Sequence, residues 1–91
     1  MIHASELEKL IKKLEKTPIS KFKFDKTQLH TINVNLINFH ISIQEISPGK
    51  TESAYFYSVI VYSDDKPEYF KIWKSSHEKF YERIKRIYER I

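Results

Sequence analysis

The sequence predicts a single α+β domain over residues 1–91, with an antiparallel sheet covered by an N-terminal and a C-terminal helix. Both ends of the chain carry apolar residues at helical spacing, whereas the segment between them has the patterns of strands separated by turns. At 91 residues the chain allows one hydrophobic core. The expected order of elements is α-β-β-β-(β)-α, where the bracketed strand depends on how one long apolar run is divided.

The first helix is predicted over residues 5–16. Ser5 and Glu8 have the spacing of a capping box, and Thr17-Pro18 ends the run. The apolar positions between them follow the i, i+3, i+4, i+7 rule: Leu7, Leu10, Ile11 and Leu14.

The first strand is predicted from Ile19 to Asp25, where apolar and basic residues alternate. Phe22 and Phe24 fall on one side and lysines on the other. This pattern is typical of a half-buried strand or of an edge strand, and on an edge the lysines would also oppose aggregation.

The apolar run from Leu29 to Ile46 changes its parity midway. It has eighteen residues without Gly or Pro, and fully extended it would span ~60 Å. A compact domain of this size has a radius of gyration of only ~12 Å, so the run must bend or break. A β-bulge near Leu36-Ile37 would keep the same inward face, and a tight turn near residues 33–35 would instead make two strands.

The second half of the sheet is marked by two turns. Pro48 and Gly49 fit the central positions of a type II turn, so a hairpin should follow. Ala54 to Tyr62 is apolar or aromatic on both faces, which predicts a central strand or one whose second face meets a partner. Residues 63–67 form the next turn, and Tyr69 to Trp73 a short returning strand.

The second helix is predicted to begin at Ser75, which has the capping-box spacing to Glu78, and to continue to the last residue. Its apolar stripe is formed by Phe80, Ile84, Ile87 and Ile91. We expect Tyr81 and Tyr88 to widen this buried face.

Composition favours a folded, soluble protein. Hydrophobic residues make up 41% and charged residues 31%. The chain has no cysteine, which excludes disulfides and thiolate metal sites and makes a reducing cytoplasm the default location. The sequence has no signal-like segment and no stretch near the ~18 apolar residues of a membrane span, so no membrane role is expected.

Many Ile, Lys, Glu and Tyr residues, with one Gly and one Met, give a profile seen in hyperthermophile proteins. A small protein of a thermophilic archaeon or an archaeal virus would fit it. An AT-rich genome would enrich similar codons without heat selection, so composition leaves both explanations open.

The sequence carries no signature of catalysis, and we predict that the protein is not an enzyme and has no cofactor. Gly49 is the only glycine, so a glycine-rich phosphate cradle is excluded. The histidines are far apart and lack the spacing of metal ligands, which favours structural or surface roles: His3, His30, His40 and His77. Asp64 and Asp65 favour a solvated turn over a cation site.

Charge gives the leading functional hypothesis, which is nucleic-acid binding, to either DNA or RNA. The formal charge is +4, and both ends of the chain are basic. The three arginines lie on one helical stripe, in which Arg83 and Arg90 have no acidic neighbour at i±3 or i±4 within the helix. The predicted phosphate-binding residues are Lys79, Arg83, Arg86 and Arg90, extended by Lys12, Lys13 and Lys16 if both helices share one side of the sheet.

A protein-interaction module is the second hypothesis, either a homodimer or a small inhibitor of a host protein. It depends on the two-faced aromatic strand, whose predicted interface residues are Tyr55, Tyr57, Val59 and Val61. A membrane-surface anchor is weaker, because the last helix carries Glu78, Glu82 and Glu89, which would meet anionic headgroups.

Overall fold

The computed structural model describes residues 4–36, 39–49, 51, 54–63 and 66–91. Within these residues there are two α-helices and five strands: α1 (Ala4–Lys16), β1 (Phe22–Phe24), β2 (Thr31–Asn35), β3 (His40–Ile46), β4 (Phe56–Ser63), β5 (Lys66–Trp73) and α2 (Glu78–Glu89). The strands form one antiparallel sheet in the order β1-β2-β3-β4-β5, so each strand pairs with its neighbour in sequence. The predicted α+β class is confirmed.

Both helices pack on the same face of the sheet. The buried positions of α1 are Leu7, Ile11 and Leu14, and those of α2 are Tyr81, Ile84 and Ile87. They join one core with alternate residues of the strands, among them Ile32, Ile43 and Val59. The periodicities read from the sequence therefore identify the buried positions of α1, β2 and β3, whereas the core-facing side of β4 was assigned to a partner. Neither helix among the described residues is long and apolar enough to cross a membrane.

The run from Leu29 to Ile46 forms a hairpin, so of the two alternatives the two strands are correct and the continuous bulged strand is wrong. The turn does not lie at residues 33–35, which belong to β2. Ile37, at the position of the expected bulge, lies outside the described residues. The chain reverses between Leu36 and Phe39, whose backbone groups bond to each other at 2.7 and 3.3 Å. Cross-strand partners such as Ile32 and Ile43 differ in parity, because their residue numbers sum to an odd value. The change of apolar parity in the sequence is thus caused by the turn between β2 and β3. Asn38 lies outside the described residues.

The first strand is shorter than predicted. Thr17 ends α1 by donating its hydroxyl to the carbonyl of Lys13 at 2.7 Å. Residues 19–21 then form a 3₁₀ turn, in which Ile19 is exposed, and β1 covers only Phe22–Phe24. Its position at the edge of the sheet was predicted correctly.

Other boundaries also differ from the sequence prediction: β4 covers Phe56–Ser63, and β5 begins at Lys66, within the predicted turn. The first helix begins at Ala4, one residue before the expected cap. The second helix begins at Glu78 after His77, so Ser75 is not its cap, and the backbone N–H of His77 bonds to the carbonyl of Trp73 at 2.8 Å. This helix ends at Glu89. Gly49 has a φ of 75°, the positive value that the predicted turn requires.

The sheet presents its second face outward. In β4, Tyr57 and Val59 point to the helices and are fully buried, while Phe56, Ile60 and Tyr62 point the other way. Within the described residues, neither helix lies over this second side, which we call the outer sheet face.

Candidate functional site

Arg83, the centre of the predicted arginine stripe, is bound within the protein. Its guanidinium donates to Glu15 through Nη2 at 2.6 Å and Nε at 3.3 Å, and it also donates to Glu8 through Nη1. Both carboxylates come from α1, and the Arg83 side chain is only 21% exposed. The expectation that Arg83 is left for an external anion is therefore wrong. Its partners lie on α1, whereas the expectation considered only its neighbours within α2.

The remaining residues of the stripe lie on a surface of mixed charge. Lys79, Arg86 and Arg90 are exposed. The shallow groove beside them, of about 530 Å³, is lined by both acids and bases: Glu78, Lys79, Glu82, Arg83 and Arg86. Since two carboxylates and a neutralised arginine share this groove, its field toward a phosphate is weak.

The predicted interface residues of β4 belong to the core face. Tyr57 and Val59 have no exposed surface, and Tyr55 and Val61 pack against the core. The Tyr57 hydroxyl donates to Glu45 at 2.8 Å, and its ring lies 4.9 Å from that of Tyr81. The prediction that these residues face a partner is therefore wrong, because this side of β4 packs against the helices.

A second basic surface lies at the end of α1. A groove of about 480 Å³ runs between this helix, the 3₁₀ turn and the tip of the β2–β3 hairpin. It is lined by Lys9, Lys12, Lys13, Lys16, Thr17, Pro18, Lys21 and Leu36. Five of the eight lining residues are lysines, and none of the described lining residues is acidic.

A neighbouring groove of about 580 Å³ continues onto the outer sheet face. It is lined by Ser20, Lys21, Lys23, Asn33, Asn35 and His40. Lys21 lines both grooves and joins them into one surface. We call the six lysines of this surface the lysine track: Lys9, Lys12, Lys13, Lys16, Lys21 and Lys23.

Three acids near the track have partners within the protein. Glu8 and Glu15 bind Arg83, and Glu8 reaches Lys12 only at 3.8 Å. Asp25 accepts hydrogen bonds from Thr27 and from the Asn33 amide, which lower the pKa of its carboxyl group well below the usual 3.8. On the other side of α1, Glu6 and Glu68 line a separate groove shared with Lys9 and Lys13.

Two contacts fix the shape of the track. The ammonium group of Lys13 lies 4.0 Å from the ring centroid of Phe39, which holds this lysine against the hairpin tip. His40 is bonded through Nδ1 to Asn35 Oδ1 at 2.5 Å. Because an amide oxygen only accepts, Nδ1 is the donor in this bond.

Sequence reasoning found half of this site. Lys12, Lys13 and Lys16 were predicted as an extension of the arginine stripe, whereas Lys9, Lys21 and Lys23 were not assigned a ligand. The sequence pattern places Lys21 and Lys23 in one strand, where they would protect a sheet edge. The sequence feature that could have connected these lysines is Thr17-Pro18, which ends α1. After it the chain turns back beside the helix, so that Lys21 comes close to the lysines of α1.

Nothing in the described residues forms a metal site, since no group of three or more His, Cys, Asp or Glu side chains converges there. Comparison of the chain with protein-family models, with curated proteins and with solved structures gave no match. The geometry of the surface is therefore the basis for a functional proposal.

Proposed function

We propose that this protein binds nucleic acid through the lysine track. The observation that supports this is the joining of two grooves by Lys21, with six lysines and no carboxylate among their described lining residues. A polyanion gains from each phosphate it places near such a cation, because the contact releases condensed counterions. The proposal keeps the class of ligand predicted from sequence and moves the main contact surface from α2 to α1.

The shape of the track suits a flexible chain of phosphates. Its lysines lie on an exposed helix face, a 3₁₀ turn and an edge strand, which together form a curved path around the end of α1. Lysine contacts phosphate as a point charge without fixed geometry, so the track favours affinity for backbone over recognition of base sequence.

Salt dependence tests the proposal. With about 0.7–0.9 of a counterion released per contact, six lysines set a limiting slope of roughly −4 to −5 for log K against log salt. Fluorescence polarisation of a labelled oligonucleotide, measured in about 50–200 mM potassium chloride, gives this slope. Absent or salt-insensitive binding would reject the proposal.

A matched pair of variants separates the two basic surfaces. Lys16→Ala with Lys21→Ala should reduce the salt slope by about 2, since each lost phosphate contact removes about 1. Lys79→Ala with Arg90→Ala, which removes the same charge from α2, should leave the slope unchanged. The reverse result would return the binding surface to the arginine stripe.

A protein-binding role is the alternative, and the free edge of β5 favours it. This strand has eight residues and ends the sheet, so a strand of a partner or of a second copy could pair with it. Lys66 and Pro67 at its start oppose such pairing. Light scattering of the purified protein tests the homodimer, and a dimer that Lys71→Pro disrupts, at an exposed position of this edge strand, would support it.

A further inference from the structure

The outer sheet face carries aromatic rings that the core does not use. Tyr69 is 69% exposed and Tyr62 is 44% exposed. The His40 ring lies 5.8 Å from that of Tyr62, and the Trp73 ring lies 4.4 Å from that of Phe56. These five side chains all point outward, because their sequence neighbours in the strands point into the core.

The same face has cations and no acids at its outward strand positions. In the register of the sheet, one row reads Lys23, Asn33, Ser42, Ile60 and Tyr69, and the next reads Asn35, His40, Tyr62 and Pro67. The third row ends in Lys71, whose ammonium group lies 5.5 Å from the ring centroid of Phe56. All of these rows lie in described residues, and none contains Asp or Glu.

The lysine track leads directly onto this face. Lys23 and His40 line the second groove of the track and also belong to the two rows that carry Tyr69 and Tyr62. A nucleic-acid chain whose phosphates follow the lysine track would therefore place its adjoining bases over the tyrosine rings. Every base has a π-face, so stacking on such rings does not depend on sequence.

We propose that the outer sheet face is a stacking platform that makes the ligand single-stranded nucleic acid. This inference rests on the proposed binding through the lysine track. Bases stack on Tyr62, which neighbours His40 at the border of the track, and on Tyr69 in the adjacent strand. The Phe56–Trp73 pair extends the platform along β4 and β5. A duplex keeps its bases stacked on one another, so it can use the track but not the rings.

The charge of the face favours this occupant over a second copy of the chain. A dimer formed face to face would bring Lys23 and Lys71 against a surface that offers no strand carboxylate to pair with them. Polar side chains, such as Ser42, Gln44 and Ser58, also divide the apolar area into small parts. An anionic ligand with aromatic bases matches both properties.

The test uses the full chain with a single-stranded oligonucleotide and with the corresponding duplex. Trp73 is the only tryptophan, so its fluorescence reports on the platform. We expect the single strand to quench this fluorescence and to bind at least about 10-fold more tightly than the duplex. Replacing Tyr62 and Tyr69 by Ala should weaken single-strand binding on the order of 10- to 100-fold per ring and leave duplex binding unchanged.

Two control variants make the outcome specific. Tyr62→Phe with Tyr69→Phe retains the rings and should bind like the wild type. Lys16→Ala with Lys21→Ala should weaken binding of both single strand and duplex. Thermal melting confirms that each variant is folded, which is expected because the substituted side chains are exposed.

The possible failures are distinct. If the tyrosine-to-alanine variant binds single strands like the wild type while the lysine variant is weakened, the platform is rejected and the lysine track stands. If the wild-type protein binds neither form, both proposals fall. If the tyrosine-to-alanine variant only breaks a dimer and keeps its single-strand affinity, the outer sheet face belongs to a second copy, which also overturns the platform.

Discussion

The guanidinium group of Arg83 and the carboxylate of Glu15 form a two-point contact across 68 residues of sequence. Two parallel hydrogen bonds between planar groups fix their orientation, and Glu8 adds a third from the preceding turns of α1. The contact ties the two helices together on the solvent side of the core. Arg83, which the sequence presents as a cation without a partner, therefore has a structural role.

We predict that Arg83→Ala lowers the stability of the protein. The loss should be about 1 kcal/mol, near the upper end for a partly exposed pair with bidentate geometry. For a domain of this size that corresponds to a fall in Tm of roughly 4–8 °C. Circular dichroism melting measures it, and Arg90→Ala is the matched control that should melt like the wild type. A binding defect without a stability defect in Arg83→Ala would contradict this assignment.

Acid should destabilise the protein through Glu15 and Asp25. The hydrogen bond from Arg83 lowers the pKa of Glu15 below 4.5, and the Thr27 hydroxyl and the Asn33 amide lower that of Asp25 below 3.8. Because the folded state binds these protons less readily than the unfolded state, their stabilisation is present above those ordinary values and is lost as pH falls below them. Melting curves of wild type and Glu15→Gln across this range test the claim. The variant should lose less stability on acidification, and an unchanged acid profile would refute it.

Alkali should destabilise the protein through its buried tyrosines. Burial raises the pKa of the Tyr57 hydroxyl far above 10.0, and the hydrogen bond to Glu45 raises it further. Burial also raises the pKa values of Tyr81 and Tyr88. Their stabilising contribution is complete below pH 10 and is lost above it, since ionisation is easier in the unfolded state.

Tyrosinate absorbance and circular dichroism, followed in one alkaline titration, should therefore show part of the ionisation coinciding with unfolding. Tyr57→Phe should reduce the alkaline loss and cost about 1–2 kcal/mol at neutral pH, where the hydrogen bond to a carboxylate is removed. Complete ionisation of all tyrosines before unfolding would contradict the packing around Tyr57.

The two faces of β4 should respond differently to truncation. Val59→Ala removes fully buried methyl groups and should cost about 2 kcal/mol. Ile60→Ala, on the outer sheet face, should cost about half of that or less. Chemical denaturation of both variants gives the comparison. Equal losses would mean that the register of β4 differs from the one described.

The fold follows from the sequence wherever local periodicity decides structure. The i, i+3, i+4, i+7 pattern of Leu7 to Leu14 and the repeat of Ile84 and Ile87 predict which helix faces are buried. The division of Leu29 to Ile46 into two strands can also be predicted from the sequence. When the numbers of paired residues add to an odd value, even positions of one strand share a face with odd positions of the next, and no bulge is needed. A bulged strand keeps one inward face equally well, so the pattern alone leaves both alternatives open.

The site was less predictable, because it depends on distances that periodicity does not fix. Neighbours of Arg83 at i±3 and i±4 can be read from the chain, but Glu8 and Glu15 meet it only after both helices dock. Lys21 and the lysines of α1 come together because a 3₁₀ turn replaces the predicted start of β1. The two sides of β4 are both apolar, so the sequence alone does not say which side the helices cover.

The nearest-neighbour order of the strands has a consequence for how the molecule folds. Every strand pairing closes a loop between consecutive segments, which keeps the entropy of loop closure small. The contact between α1 and α2 joins the far ends of the described chain. We expect the hairpins to form early, on the fast side for a protein of mixed class, and the meeting of the two helices around Arg83 to complete the native state.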